Sequence, residues 1–126
     1  MPMDHGHFCW NELLTWDIDA AKAFYATLYG WTYDASGRDD GYWIAWNNGQ
    51  PAAGLFQMTP ERFAGVPAHW FAYIADQDVD ASLARLVAQG GTVVRESFVV
   101  GDMRMAIVRD AGGAFFGLCQ KLGDEA

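Results

Sequence analysis

The chain has 126 residues, enough for one ordinary domain and too few for two independent ones. Hydrophobic residues make up 52% of it and charged residues 19%, which excludes an intrinsically disordered chain. Sixteen acidic against eight basic residues give a net charge of −8, a field that repels phosphate backbones and argues against nucleic acid as a partner.

In chain order, the first β-prone run is Phe8–Thr15. Asp17 follows as a helix N-cap, and the apolar positions Ala20, Phe24 and Leu28, with Ala21 and Tyr25, repeat at the helical period. Gly30 closes that helix, where a left-handed residue is needed. Strand-like runs cover 31–35, 41–46 and 52–58, the last two joined by the turn Asn47-Asn48-Gly49. Residues 59–67, with two prolines, read as a linker. The order then starts again: a strand at 70–75, an N-cap at Asp78, and a helical stripe of Val79, Leu83, Leu86 and Val87 closed by Gly90-Gly91. Strands follow at 92–99, Met103–Arg109 and 114–121, with the turn Asp110-Ala111-Gly112-Gly113 between the last two.

The restart is a repeat. Asp17-Ile18-Asp19-Ala20-Ala21 matches Asp78-Val79-Asp80-Ala81-Ser82 at an offset of 61, and Gly54-Leu55-Phe56-Gln57 matches Gly117-Leu118-Cys119-Gln120 at an offset of 63. The chain reads as a single domain over 1–126 holding two β-α-β-β-β modules, about 7–59 and 68–122. One helix covers one face of a four-stranded sheet. The other face, rich in rings, needs a twin module, a second subunit or a ligand.

These residues resemble the vicinal oxygen chelate superfamily, which includes glyoxalase I, extradiol dioxygenases and bleomycin-resistance proteins. The likeness is carried by the stretch from Asp17 through Phe24-Tyr25 to Gly30-Trp31, and by Asp78-Val79-Asp80 through Gly90-Gly91. Asp110-Ala111-Gly112-Gly113-Ala114-Phe115 adds to it, resembling the family's Asp-Pro-x-Gly hairpin with Ala in place of Pro. The resemblance implies an α+β fold of two tandem βαβββ modules forming paired, curved mixed sheets. It also implies metal ligands at set distances from the two cap aspartates and the hairpin aspartate. Those positions hold Trp10, Phe71, Gly117 and Gly54, and a two-residue slip makes them Phe8, Phe56, His69 and Cys119. Trp and Phe rings and glycines offer no donor to a divalent cation, and the slipped set holds only two, His69 and Cys119, so the expectation is no metal and no cofactor.

The candidate functional residues follow from strand alternation. Glu12 shares a strand face with Trp10, and a carboxylate among rings can serve as a general acid or base or meet a cationic ligand. His69 shares a face with Phe71 and Tyr73, and Tyr73 is the repeat mate of Glu12. Glu12 and His69 are therefore the candidate catalytic pair, facing a pocket lined by Trp10, Phe71 and Tyr73. Trp43, Trp46 and Phe56 add stacking surface, Gly54 and Gly117 leave space, and Cys119 points the same way as Gly117. The expected function is metal-independent binding of an aromatic or cationic small molecule. The alternative is an acid/base lyase, isomerase or cyclase; a metal-dependent glyoxalase or dioxygenase is disfavoured. A homodimer is expected. Two cysteines without a CxxC, and the lack of a leader-like or membrane-length apolar run, point to a cytoplasmic protein off the membrane.

Overall fold

The computed structural model describes residues 4–35 and 41–123. Within them the elements are β1 (Phe8–Thr15), α1 (Ile18–Tyr29), β2 (Thr32–Ala35), β3 (Tyr42–Asn47), β4 (Gln50–Gln57), α2 (Pro60–Phe63), β5 (His69–Ala75), α3 (Val79–Ala88), β6 (Thr92–Val100), β7 (Met103–Arg109) and β8 (Phe115–Lys121). This is an α+β fold in which β-α-β-β-β occurs twice. The described residues form two compact units, one from residues 11–35 and 41–71 and one from residues 4–10 with 72–123.

In the first unit the strands run in the order β2-β3-β4-β1, with β1 parallel to β4 and the other pairs antiparallel. Leu13, Ala45 and Leu55 form its core, and Ile18, Ala21 and Tyr25 of α1 pack onto them with Trp31, Tyr33 and Trp43. In the second unit the order is β5-β8-β7-β6, again with one parallel pair, β5 with β8. Val79 and Leu83 of α3 bury against Ala106, Val108 and Leu118.

The two long helices, α1 and α3, start as the sequence predicts. Asp17 Oδ1 accepts from the Ala20 amide at 3.1 Å, and Asp78 Oδ1 accepts from the Ala81 amide at 3.1 Å. A second device repeats as well. Gln57 Oε1 accepts from the Ile18 amide at 3.0 Å, and Gln120 Oε1 accepts from the Val79 amide at 2.9 Å. The matched glutamines are thus helix-start acceptors reaching over from the last strand of each module, each satisfying an amide that the helix leaves without an internal partner. The 47–49 turn has Asn48 at φ 53° and Gly49 at φ 79°, the left-handed pair that a tight hairpin requires.

Two local expectations are corrected. Residues 59–67 are more than a linker, because Pro60 sits in the first turn of the short helix α2, where its missing N–H costs nothing. β4 begins at Gln50 and not at 52, since a register shift between Ala45 and Trp46 accommodates Pro51 within the ladder.

Candidate functional site

In the first unit, β4 runs between β1 and β3, and Glu12 and Ile44 both pair with Gly54. Leu14, Phe56 and Tyr42 form the next rung on the same side. This side is turned away from α1, whose contacts fall on the alternate residues Leu13, Ala45 and Leu55. Glu12 is half-buried there. A side chain at Gly54 would collide with the Tyr42 hydroxyl, so the phenol occupies the space that this glycine leaves. A carboxylate-bearing residue and a phenol oxygen therefore flank one glycine, a donor and an acceptor set into an apolar surface. Phe56 continues that surface, with the Phe63 ring of α2 at 6.0 Å and an interplanar angle of 63°.

His69 opens β5. Its Nδ1 lies 2.8 Å from the carbonyl oxygen of Pro67. A carbonyl can only accept, so Nδ1 carries the proton and Nε2 of the neutral ring is left as an acceptor. Phe71 is buried on the same side of β5, while Trp70 points to the other side, where its indole N–H donates to the Tyr25 hydroxyl at 3.2 Å.

The second unit mirrors the rung pattern. Tyr73 pairs with Gly117 across β5 and β8, and Ile107 pairs with Gly117 from β7. Cys119 follows on the same side, with Ala75 and Met105 as partners. Tyr73, Gly117 and Cys119 are all buried. The Cys9 thiol donates to the Tyr73 carbonyl at 3.6 Å and shares a hydrogen bond with Cys119. Burial pushes the Cys9 thiol above the usual range, against a smaller opposing effect of those hydrogen bonds. Trp10 is half-buried in this unit.

Two of the rings expected to add stacking surface lie off the Glu12 side. Trp43 lies on the α1 side, against the helix core, with the Lys22 ammonium 3.4 Å above its ring. Strand alternation is the reason: it is one residue out of phase with Tyr42 and Ile44. Trp46 lies past the register shift, where its indole N–H donates to Asp34 Oδ1 at 3.1 Å. Tyr42 is not among the residues that strand alternation alone singles out. Its signal was the hairpin itself, because the Asn48-Gly49 turn sets Tyr42 opposite Phe56 and hence on the Gly54 side.

A divalent cation of the kind the superfamily implies does not fit these residues. Gly54 brings no donor, and the space over it is filled by a phenol. Gly117, Trp10 and Phe71 bring none either, and among the described residues no three His, Cys, Asp or Glu side chains converge.

Two βαβββ modules, each with a helix packed on one side of its strands, define the glyoxalase/bleomycin resistance protein/dioxygenase class of fold. The family profile described as "Glyoxalase-like domain" matches residues 9–119, and the chain belongs to that family. It is 41% identical over 115 residues to "Putative glyoxylase CFP32" of Mycobacterium tuberculosis, covering 88% of this chain and 44% of that one. It is 31% identical over 126 residues to "Anthracycline biosynthesis protein DnrV" of Streptomyces peucetius, covering 89% and 46%. The chain thus spans less than half the length of the curated relatives it matches. Among solved structures, methylmalonyl-CoA epimerase from Mycobacterium tuberculosis superimposes with a TM-score of 0.66 at 17% identity, over 99% of this chain and 95% of that one. A superfamily member from Vibrio splendidus 12B01 gives 0.63 at 18% identity, over 90% and 99%. At such identities these structures show the fold alone.

Proposed function

We propose that this chain binds a flat, amine-bearing organic molecule without a metal, on the side of the first unit that carries Glu12, and that it works as a homodimer in the cytoplasm. The observation that carries the reading is the Glu12–Gly54 rung with the Tyr42 hydroxyl over the glycine. That rung offers a carboxylate for a cation and a phenol for a hydrogen bond, next to the Phe56 ring for stacking. The relative named for anthracycline biosynthesis is consistent with a planar polycyclic ligand. Two thiols outside any disulfide, Cys9 and Cys119, suit a reducing compartment. Calorimetric titration with an anthracycline bearing an amino sugar tests it. Saturable binding is expected, weakened at least about tenfold (about 1.4 kcal/mol) by Glu12→Gln. Equal affinity of the two proteins overturns the role of Glu12.

A second reading, an acid/base isomerase, lyase or cyclase, is favoured by His69. Its Nδ1 bond to Pro67 orients the ring and leaves Nε2 to take a proton, as a general base requires. Glu12 would be the second proton carrier. Exchange of the α-proton of methylmalonyl-CoA in heavy water, followed by NMR, is the probe that the structural neighbours suggest. Exchange abolished by His69→Gln supports this reading, and exchange no faster than in buffer removes this substrate class from it.

A further inference from the structure

The two helices of the repeat hold equivalent places and show different faces to solvent. At an offset of 61, α3 carries Arg85 and Gln89 where α1 carries Phe24 and Leu28, which are 58% and 54% exposed. Just beyond, Tyr29 is 61% exposed where the second module has Gly90, and Trp31 stands where it has Thr92. The second module therefore completes the same helix with polar outer residues, so the fold does not demand an apolar surface at these positions. The first module has one nonetheless. Its rings are continuous: Tyr25 meets Phe24 at 5.0 Å, Trp31 at 5.1 Å and Trp70 at 5.7 Å, and Tyr29 lies 6.1 Å from Trp31. The array ends in an open cleft of about 340 Å³ against Trp31 and Trp70. No residue of α1 is fully buried, whereas α3 buries Val79 and Leu83. An exposed apolar surface of this extent marks an interaction site.

The occupant follows from charge and shape. Residues 23–31 carry no charge on a chain of net −8, so two copies can approach here without setting carboxylates against each other. The two large side chains Phe24 and Leu28 stand beside the small, exposed Ala20, Ala23 and Thr27. Knobs and holes on one helix face are self-complementary, which a two-fold interface needs.

We propose that the outer face of α1 is the surface on which a second copy of this chain packs, α1 against α1 across a two-fold axis, with Phe24 and Leu28 of each copy seated on the small residues of the other. This rests on the homodimer reading above and names its surface.

Sedimentation velocity of the full chain and of the Phe24→Arg/Leu28→Gln variant tests it. The variant carries the residues that the second module already accommodates at these positions. The wild type is expected to sediment as a dimer at micromolar concentration. The variant is expected to be a monomer with unchanged near-UV circular dichroism, its dimer dissociation constant raised at least about 100-fold. Should the variant fail to fold, Phe24→Ala/Leu28→Ala must still weaken the dimer at least about tenfold. Val87→Gln, on the exposed part of α3, must leave it intact. A wild type that stays monomeric up to about 200 µM overturns the pairing and its surface together. A wild-type dimer that survives both double variants, or one broken by Val87→Gln, overturns the surface alone and leaves the homodimer standing.

Discussion

Gln57 and Gln120 show how a single residue can tie a module together. Gln57 accepts from the first amide of α1, and its amide nitrogen donates to the carbonyls of Trp16 at 2.8 Å and Met58 at 3.0 Å. Three bonds converge on one partly exposed side chain, so Gln57→Ala is expected to cost about 1–3 kcal/mol in urea unfolding. Gln120 makes one such side-chain bond among the described residues, to the Val79 amide, and its replacement should cost less. Equal losses would deny Gln57 its bridging role. Gly54 makes a second residue-scale prediction. Any β-carbon there meets the Tyr42 hydroxyl, so Gly54→Ala should lower stability by about 1–3 kcal/mol. The loss in Gly54→Ala/Tyr42→Val should be smaller than the sum of the two single losses, because the second change removes the clash. Strict additivity would mean that the phenol does not hold that space.

At the scale of elements, most strands, both long helices and both helix starts were legible in the sequence because each rests on local chemistry. Alternation, cap aspartates and turn glycines act within a few residues. The repeat was legible for the same reason: Gly-Leu-x-Gln recurs because each glutamine serves the same backbone amide. What stayed hidden depended on register. Trp43 and Trp46 read as site rings until the hairpin pairing and its shift at Ala45/Trp46 sent one to the helix side and the other past the irregularity. Tyr42 was passed over for the converse reason, since its importance lies in a contact with a residue twelve positions away. The first stretch of β1 also carries an expected pH dependence. Burial favours the neutral Cys9 thiol, so the folded chain holds that proton more tightly than the unfolded chain does. The resulting stability is complete below about pH 9, the ordinary thiol range, and is lost as pH rises beyond it. Burial acts in the same direction on Tyr33, whose hydroxyl donates to the Lys22 carbonyl at 2.9 Å, adding to the fall at higher pH. Melting temperatures at pH 8, 9 and 10 should therefore decline, and less steeply in Cys9→Ala. A slope unchanged by that substitution would remove Cys9 from the account.

At the scale of the whole molecule the dominant quantity is charge. A net charge of −8 on 126 residues biases every encounter with a charged ligand. It bears directly on what the fold likeness can transfer. Coenzyme A esters, bound by methylmalonyl-CoA epimerases of the same fold, carry several phosphate charges. Such a polyanion must approach this chain against its field, whereas an amine-bearing planar molecule approaches with it. The identities of 14–19% between this chain and those structures leave surface charge free to differ while the strands superimpose. The expected outcome is a charge-ordered series in a thermal-shift assay at low salt: the aminated planar compound stabilises most, its neutral analogue less, and a CoA ester least. Raising ionic strength from about 20 to about 300 mM shortens the Debye length from roughly 20 Å to under 8 Å. That change should narrow the gap between cation and neutral analogue without abolishing it, because a carboxylate in contact with the amine, the role proposed for Glu12, is weakly screened. A gap that vanishes entirely in salt would assign the selectivity to the diffuse field alone and leave Glu12 no part in it. A CoA ester that stabilises more than the amine would reverse the ligand class and turn the His69 chemistry into the leading reading.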